Sequence, residues 1–229
     1  MTSNGIQAKL VTESGLRPEQ IARAVQLLDE GNTIPFIARY RKEMTGGMDE
    51  EQLRKLVERL AYQRNLAERK ATVLKTIKGQ GKLTPQLAAA IKAAETLQQV
   101  EDLYLPYKPK RRTRATIARE RGLEPLAKLI LEQPLKLAPL GKVVAPFLSD
   151  EVSTADDAWA GARDIVAEIV SDDADVRARV RGIFEKESYL RVTVADPAAD
   201  PKETYQLYYD FGMLTRHLKP HQILAINRG

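Results

Sequence analysis

The chain has 229 residues, with 36 Lys and Arg against 31 Asp and Glu for a net charge of +5, and it contains no cysteine. At 43% hydrophobic and 29% charged residues it has the composition of a globular protein, long enough for one large core or two small ones. The absence of thiols excludes disulfides, thiolate metal sites and a cysteine nucleophile. The longest apolar run, 143–148, is too short for a membrane span. No basic-then-apolar leader opens the sequence, so the cytoplasm is the expected compartment.

Most of the chain reads as helix. Residues 6–13 form a short first candidate, and 18–30 follow with Pro18 in the first turn and Gly31 just past the end. In that second segment Ile21, Ala24, Val25 and Leu28 share one face. A third short helix is expected over 34–42, and the first three together have helix-turn-helix spacing. Asp49, followed by Glu50 and Glu51, is a strong start signal for a long helix that runs to Gly79. Its expected apolar stripe is Leu53, Leu56, Val57, Leu60, Ala67, Ala71, Leu74 and Ile77. Some thirty residues at about 1.5 Å rise make a rod of about 45 Å, which needs packing partners along its length.

Helices follow from Thr84-Pro85 through Ala94 and over 96–104. Pro106 and Pro109 then impose an extended path on 103–114. Short helices are expected at 116–121, 124–132 and 141–148, then longer ones at 158–170, behind a Thr154-x-x-Asp157 cap, and at 173–187. Period-two patterning appears only in 189–195 and 204–211, read as two strands joined by a turn, before a last helix at 220–227. The fold class is therefore mainly α: a multi-helical bundle with a long central helix, helix-turn-helix-like elements at the N-terminus and a short β-hairpin near the C-terminus. The expected domains are a helical region, 1–187, and a short β-containing segment, 188–229.

Charge is unevenly distributed along the chain. Residues 1–121 hold 23 basic and 14 acidic side chains, whereas 122–229 hold 13 and 17. Lys108, Lys110, Arg111, Arg112, Arg114, Arg119 and Arg121 fall within fourteen residues and are opposed there only by Glu120, with Tyr104 and Tyr107 just upstream. Such cations can neutralise phosphates and such rings can stack on unpaired bases. The other reading is that the tyrosines pack the segment onto the helical body while the cations are simply solvated. Arg39, Arg41 and Lys42 lie among Glu43, Asp49, Glu50 and Glu51, a setting that favours structural ion pairs over phosphate contact. No nucleophile with its base can be assembled, and Pro220 breaks the helical register between His217 and His221. No enzyme activity, metal or cofactor is expected.

Residues 33–56 (TIPFIARYRKEMTGGMDEEQLRKL), 81–127 and 160–177 (AGARDIVAEIVSDDADVR) resemble the N-terminal region of the bacterial Tex family of transcription accessory proteins. The resemblance implies continuation into a ribonuclease-H-like domain, helix-hairpin-helix elements and a C-terminal S1 domain. It also makes 188–229 a lead-in to the ribonuclease-H-like domain. Residues 211–219 depart from the more polar stretch expected there. The implied partners are nucleic acid, RNA ahead of DNA, and RNA polymerase, with no membrane and no small-molecule substrate. Two functions stand: a nucleic-acid-binding module whose seven cations contact phosphate, or a scaffold built on the 49–79 rod.

Overall fold

The computed structural model describes residues 3–228. Twelve α-helices, five short 3₁₀ helices and one two-stranded hairpin make up the regular structure of these residues, and the helices account for 67% of the chain. The chain divides into two compact units, Met1–Tyr104 and Leu105–Gly229.

The first unit contains α1 (Ser3–Ser14), α2 (Pro18–Asp29), α3 (Ile34–Tyr40), α4 (Glu50–Gly79), α5 (Pro85–Ala93) and α6 (Leu97–Tyr104). The Asp49 carboxylate accepts from the Gln52 amide at 2.7 Å, and the Gln52 side-chain oxygen accepts from the Asp49 amide at 3.1 Å. This reciprocal cap fixes where the 30-residue α4 begins. The N-terminal half of α4 buries Leu53, Leu56 and Leu60 against Ile6 and Leu10 of α1, Ile21 and Ala24 of α2, and Ile37 of α3. Farther along, Arg69 pairs with Glu101 of α6 at 2.5 Å, and the Lys70 ammonium donates to the Lys92 carbonyl of α5 at 2.8 Å.

The middle of the α4 stripe differs from expectation. The buried positions are Gln63, Leu66, Lys70 and Val73, whereas Ala67 and Leu74 are half-buried and Ala71 is exposed. Two polar side chains, Gln63 and Lys70, occupy core positions, and an apolar pattern alone steps around them. Gln63 donates to Glu13 at 2.9 Å, while its own side-chain oxygen is buried without a hydrogen-bond partner among the described residues.

The second unit contains α7 (Arg114–Glu120), α8 (Glu124–Glu132), α9 (Leu140–Val144), α10 (Ala155–Asp172), α11 (Ala174–Glu187), β1 (Tyr189–Thr193), β2 (Asp210–Leu214) and α12 (Pro220–Ile226). Helix α10 is its axis. Ala158, Ala162 and Ile165 are buried together with Ala115 and Ala118 of α7 and Leu126 and Ala127 of α8. Small side chains let α7 come close, and a Cβ placed on Gly161 would stand 2.5 Å from Leu123 Cδ1. Ser188 separates α11 from β1, which pairs antiparallel with β2 in the register Tyr189↔Leu214 to Thr193↔Asp210.

The second strand is thus Asp210–Leu214 rather than 204–211. The Asp200 carboxylate accepts from the amides of Thr204 at 3.0 Å and Tyr205 at 2.7 Å, which curls 204–209 into a turn. The alternation of aromatic residues there reflects β propensity, and the local hydrogen bonds to Asp200 override it.

Candidate nucleic-acid interface

The basic segment enters the second unit as a single 3₁₀ turn, Leu105–Tyr107, and continues without regular structure through 108–113. The Thr113 hydroxyl accepts from the Thr116 amide at 3.0 Å and starts α7 at Arg114, two residues before the expected start. A clasp fixes this strap to α10. Glu168 Oε1 accepts from Arg119 Nη1 at 2.6 Å, and Oε2 accepts from the Thr113 hydroxyl at 3.0 Å. Lys110 Nζ stands 3.9 Å from Glu168 and pairs with Asp172.

Burial would raise the Glu168 pKa, but the hydrogen bonds from Arg119 and Thr113, with the Lys110 charge, outweigh it and hold the carboxyl below the ordinary glutamate range. With only 16% of the Glu168 side chain exposed and 33% of Arg119, this is a structural fastening.

The seven predicted cations therefore fall into two groups. Lys110 and Arg119 are engaged in the clasp. Arg112 and Arg114 pair with Glu120 at 2.6 Å and Asp164 at 3.3 Å, yet 68% and 85% of their side chains remain exposed. Arg121 lies 3.6 Å from Glu151, itself 75% exposed. Lys108 and Arg111 are exposed, and no ion pair engages them among the described residues.

Both tyrosines beside this strap are partly covered by the protein. Tyr104, the last residue of α6, is half-buried with the Arg69 guanidinium 5.2 Å from its ring centre, and Tyr107 is half-buried too.

Residue-type reasoning missed the carboxylates that sort these cations. Asp164, Glu168 and Asp172 recur every four residues and form one acidic stripe on α10. That spacing is the signal to look for opposite a basic segment. The opposite surprise occurs at 39–42. Ion pairs were expected there, but Glu50 pairs with Arg54 and Glu51 with Lys55, both at 2.6 Å, and Asp49 caps α4.

Comparison with known proteins adds to this geometry. Residues 4–78 match the family described as Tex-like protein N-terminal domain, and residues 137–229 match Tex central region-like. The chain is 48% identical to Protein tex of Bordetella pertussis, across 98% of its own length and 28% of that relative. It is 46% identical to the transcriptional accessory protein Tex of Neisseria gonorrhoeae, across 92% and 28% of the two lengths. It is 31% identical to human S1 RNA-binding domain-containing protein 1, across 96% and 23%. The chain thus spans between a quarter and a third of the bacterial relatives it matches.

Proposed function

From the premise that the chain belongs to the Tex family, we propose that it is a non-catalytic nucleic-acid-binding module of a transcription accessory protein. Lys108, Arg111, Arg112 and Arg114 take the phosphates. The names of its relatives, a transcriptional accessory protein and an S1 RNA-binding domain-containing protein, support the process and favour RNA as the polymer. In this reading it works in the cytoplasm beside RNA polymerase.

The observation that carries the reading is the division of labour along the strap. Lys110 and Arg119 hold the backbone against α10, so the exposed cations are displayed from a fixed segment rather than a loose tail. The surface pairs of Arg112 and Arg114 are worth about 0–1 kcal/mol each, so phosphate can compete for them. Neutralising about four phosphates of a single strand gives a slope of log affinity against log salt near about −3.

Charge reversal at Arg111, Arg112 and Arg114 tests this by salt titration of a labelled oligoribonucleotide. The slope should shrink to about −1 from the strap's share. Unchanged affinity at low salt would rule the strap out.

A scaffold role has one observation in its favour. Val180, Ile183 and Phe184 of α11 are 46%, 48% and 62% exposed, an apolar face suited to packing against the further modules implied by the family.

A further inference from the structure

The turn after α3 carries a second cluster of cations, with a feature the strap lacks. Arg39, Arg41 and Lys42 are all exposed, and among the described residues none of them is in an ion pair. The acid that follows them directly in sequence is Glu43. Between them stands Tyr40, 67% exposed, its ring centre 5.4 Å from that of half-buried Phe36. The Arg41 guanidinium sits 5.3 Å from the centre of the Phe36 ring. Arg39, Tyr40, Arg41, Lys42 and Glu43, with Met44, Gly46 and Gly47, line an open concavity of about 870 Å³.

The turn is rigid. The amides of Thr45, Gly46 and Gly47 donate to the carbonyls of Arg41, Glu43 and Lys42 at 3.2, 3.2 and 2.8 Å, which ties the turn together just beyond the end of α3. Thr45 and Met48 are buried, and the Gln20 side chain of α2 donates to the Thr45 and Gly46 carbonyls at 3.2 and 2.9 Å. Gly46, at φ +62°, takes a conformation that side chains rarely adopt, and a Cβ there would meet Gln20 at 2.8 Å.

We propose that this turn is a contact site for single-stranded nucleic acid, with Arg39, Arg41 and Lys42 taking backbone phosphates and the open face of Tyr40 stacking an unpaired base. The cations alone would suit any polyanion. The exposed ring beside them selects a ligand that presents both a phosphate chain and a bare aromatic face, which neither a duplex nor an acidic peptide does. The site lies apart in sequence from the strap and does not depend on it.

The test is fluorescence anisotropy of the intact chain with a labelled oligouridine and, separately, a labelled RNA duplex. Tyr40→Ala should weaken the single strand about tenfold and leave the duplex within about twofold. Tyr40→Phe should restore binding, because the ring and not the hydroxyl makes the stack. Neutralising Arg39, Arg41 and Lys42 together to glutamine should reduce the salt slope by about 2. A Tyr40 effect that persists when Arg111, Arg112 and Arg114 are reversed supports this site even if the strap itself proves silent. The proposal is overturned if Tyr40→Ala binds oligouridine as tightly as the unsubstituted chain, or if Tyr40→Phe is as weak as Tyr40→Ala. An unchanged slope in the glutamine variant overturns it as well.

Discussion

Replacing Glu168 with alanine removes the acceptor shared by Arg119 and Thr113 and leaves Lys110 with Asp172 alone. The carboxylate is 16% exposed, between the regime of exposed pairs, worth about 0–1 kcal/mol, and that of buried pairs, whose rupture costs about 3–5 kcal/mol. A loss of about 2 kcal/mol follows. The chain's single tryptophan, Trp159, packs against the core of the second unit, so its fluorescence in a urea titration reports that unit. With a denaturant slope of about 2 kcal/mol per molar, the midpoint should fall by about 1 M. Glu168→Gln, which keeps a neutral acceptor, should lose about half as much.

The same contact has a pH signature. Because the Glu168 carboxyl is held below its ordinary range in the folded chain, the unfolded chain binds that proton more readily. The contribution is complete above the ordinary glutamate value of about 4.3 and fades as pH falls through the lower folded value. Glu168→Gln should flatten that acid limb. A Glu168→Ala midpoint within about 0.2 M of the unsubstituted chain would refute the clasp, as would an acid limb that Glu168→Gln leaves unchanged.

Gly161→Ala would force a methyl group to within 2.5 Å of Leu123 Cδ1 and 3.2 Å of Ala118 Cβ. An overpacking cost of about 1–3 kcal/mol exceeds the gain in helix propensity of about 1 kcal/mol, so Trp159-monitored unfolding should show net destabilisation. In the first unit, burial and the nearby Lys9 charge push the Lys70 pKa down against the pull of Glu95. A folded value below the unfolded one means that stability rises with pH toward the ordinary lysine value of about 10.4. Lys70→Met should abolish that rise in circular dichroism melts across a pH series.

Several helix starts were legible because their signals act over three or four residues. Asp49, Thr84 and Thr154 each accept a hydrogen bond from the backbone amide three residues on, at the helix starts expected for them, and Asp173 does the same for α11. The long α4 and the mainly α class were readable in the same way, whereas the family resemblance rested on the long segments 33–56, 81–127 and 160–177. The second strand was misplaced because Asp200 reorganises residues 204–209 through hydrogen bonds that β propensity does not register. The α4 stripe slipped by a residue because Gln63 and Lys70 are buried through partners on other helices.

Charge density along the chain was equally plain, but which cations remain available for a ligand was not. Lys110 finds Asp172 across 62 positions and Arg119 finds Glu168 across 49, while Arg39 and Lys42 stay clear of the acids that follow them within a dozen residues. Caps and periodicity are local and therefore written in the order of residues. Coulombic pairing and desolvation depend on distance through space, and only the packing of α7 on α10, and of α3 on α4, sets those distances.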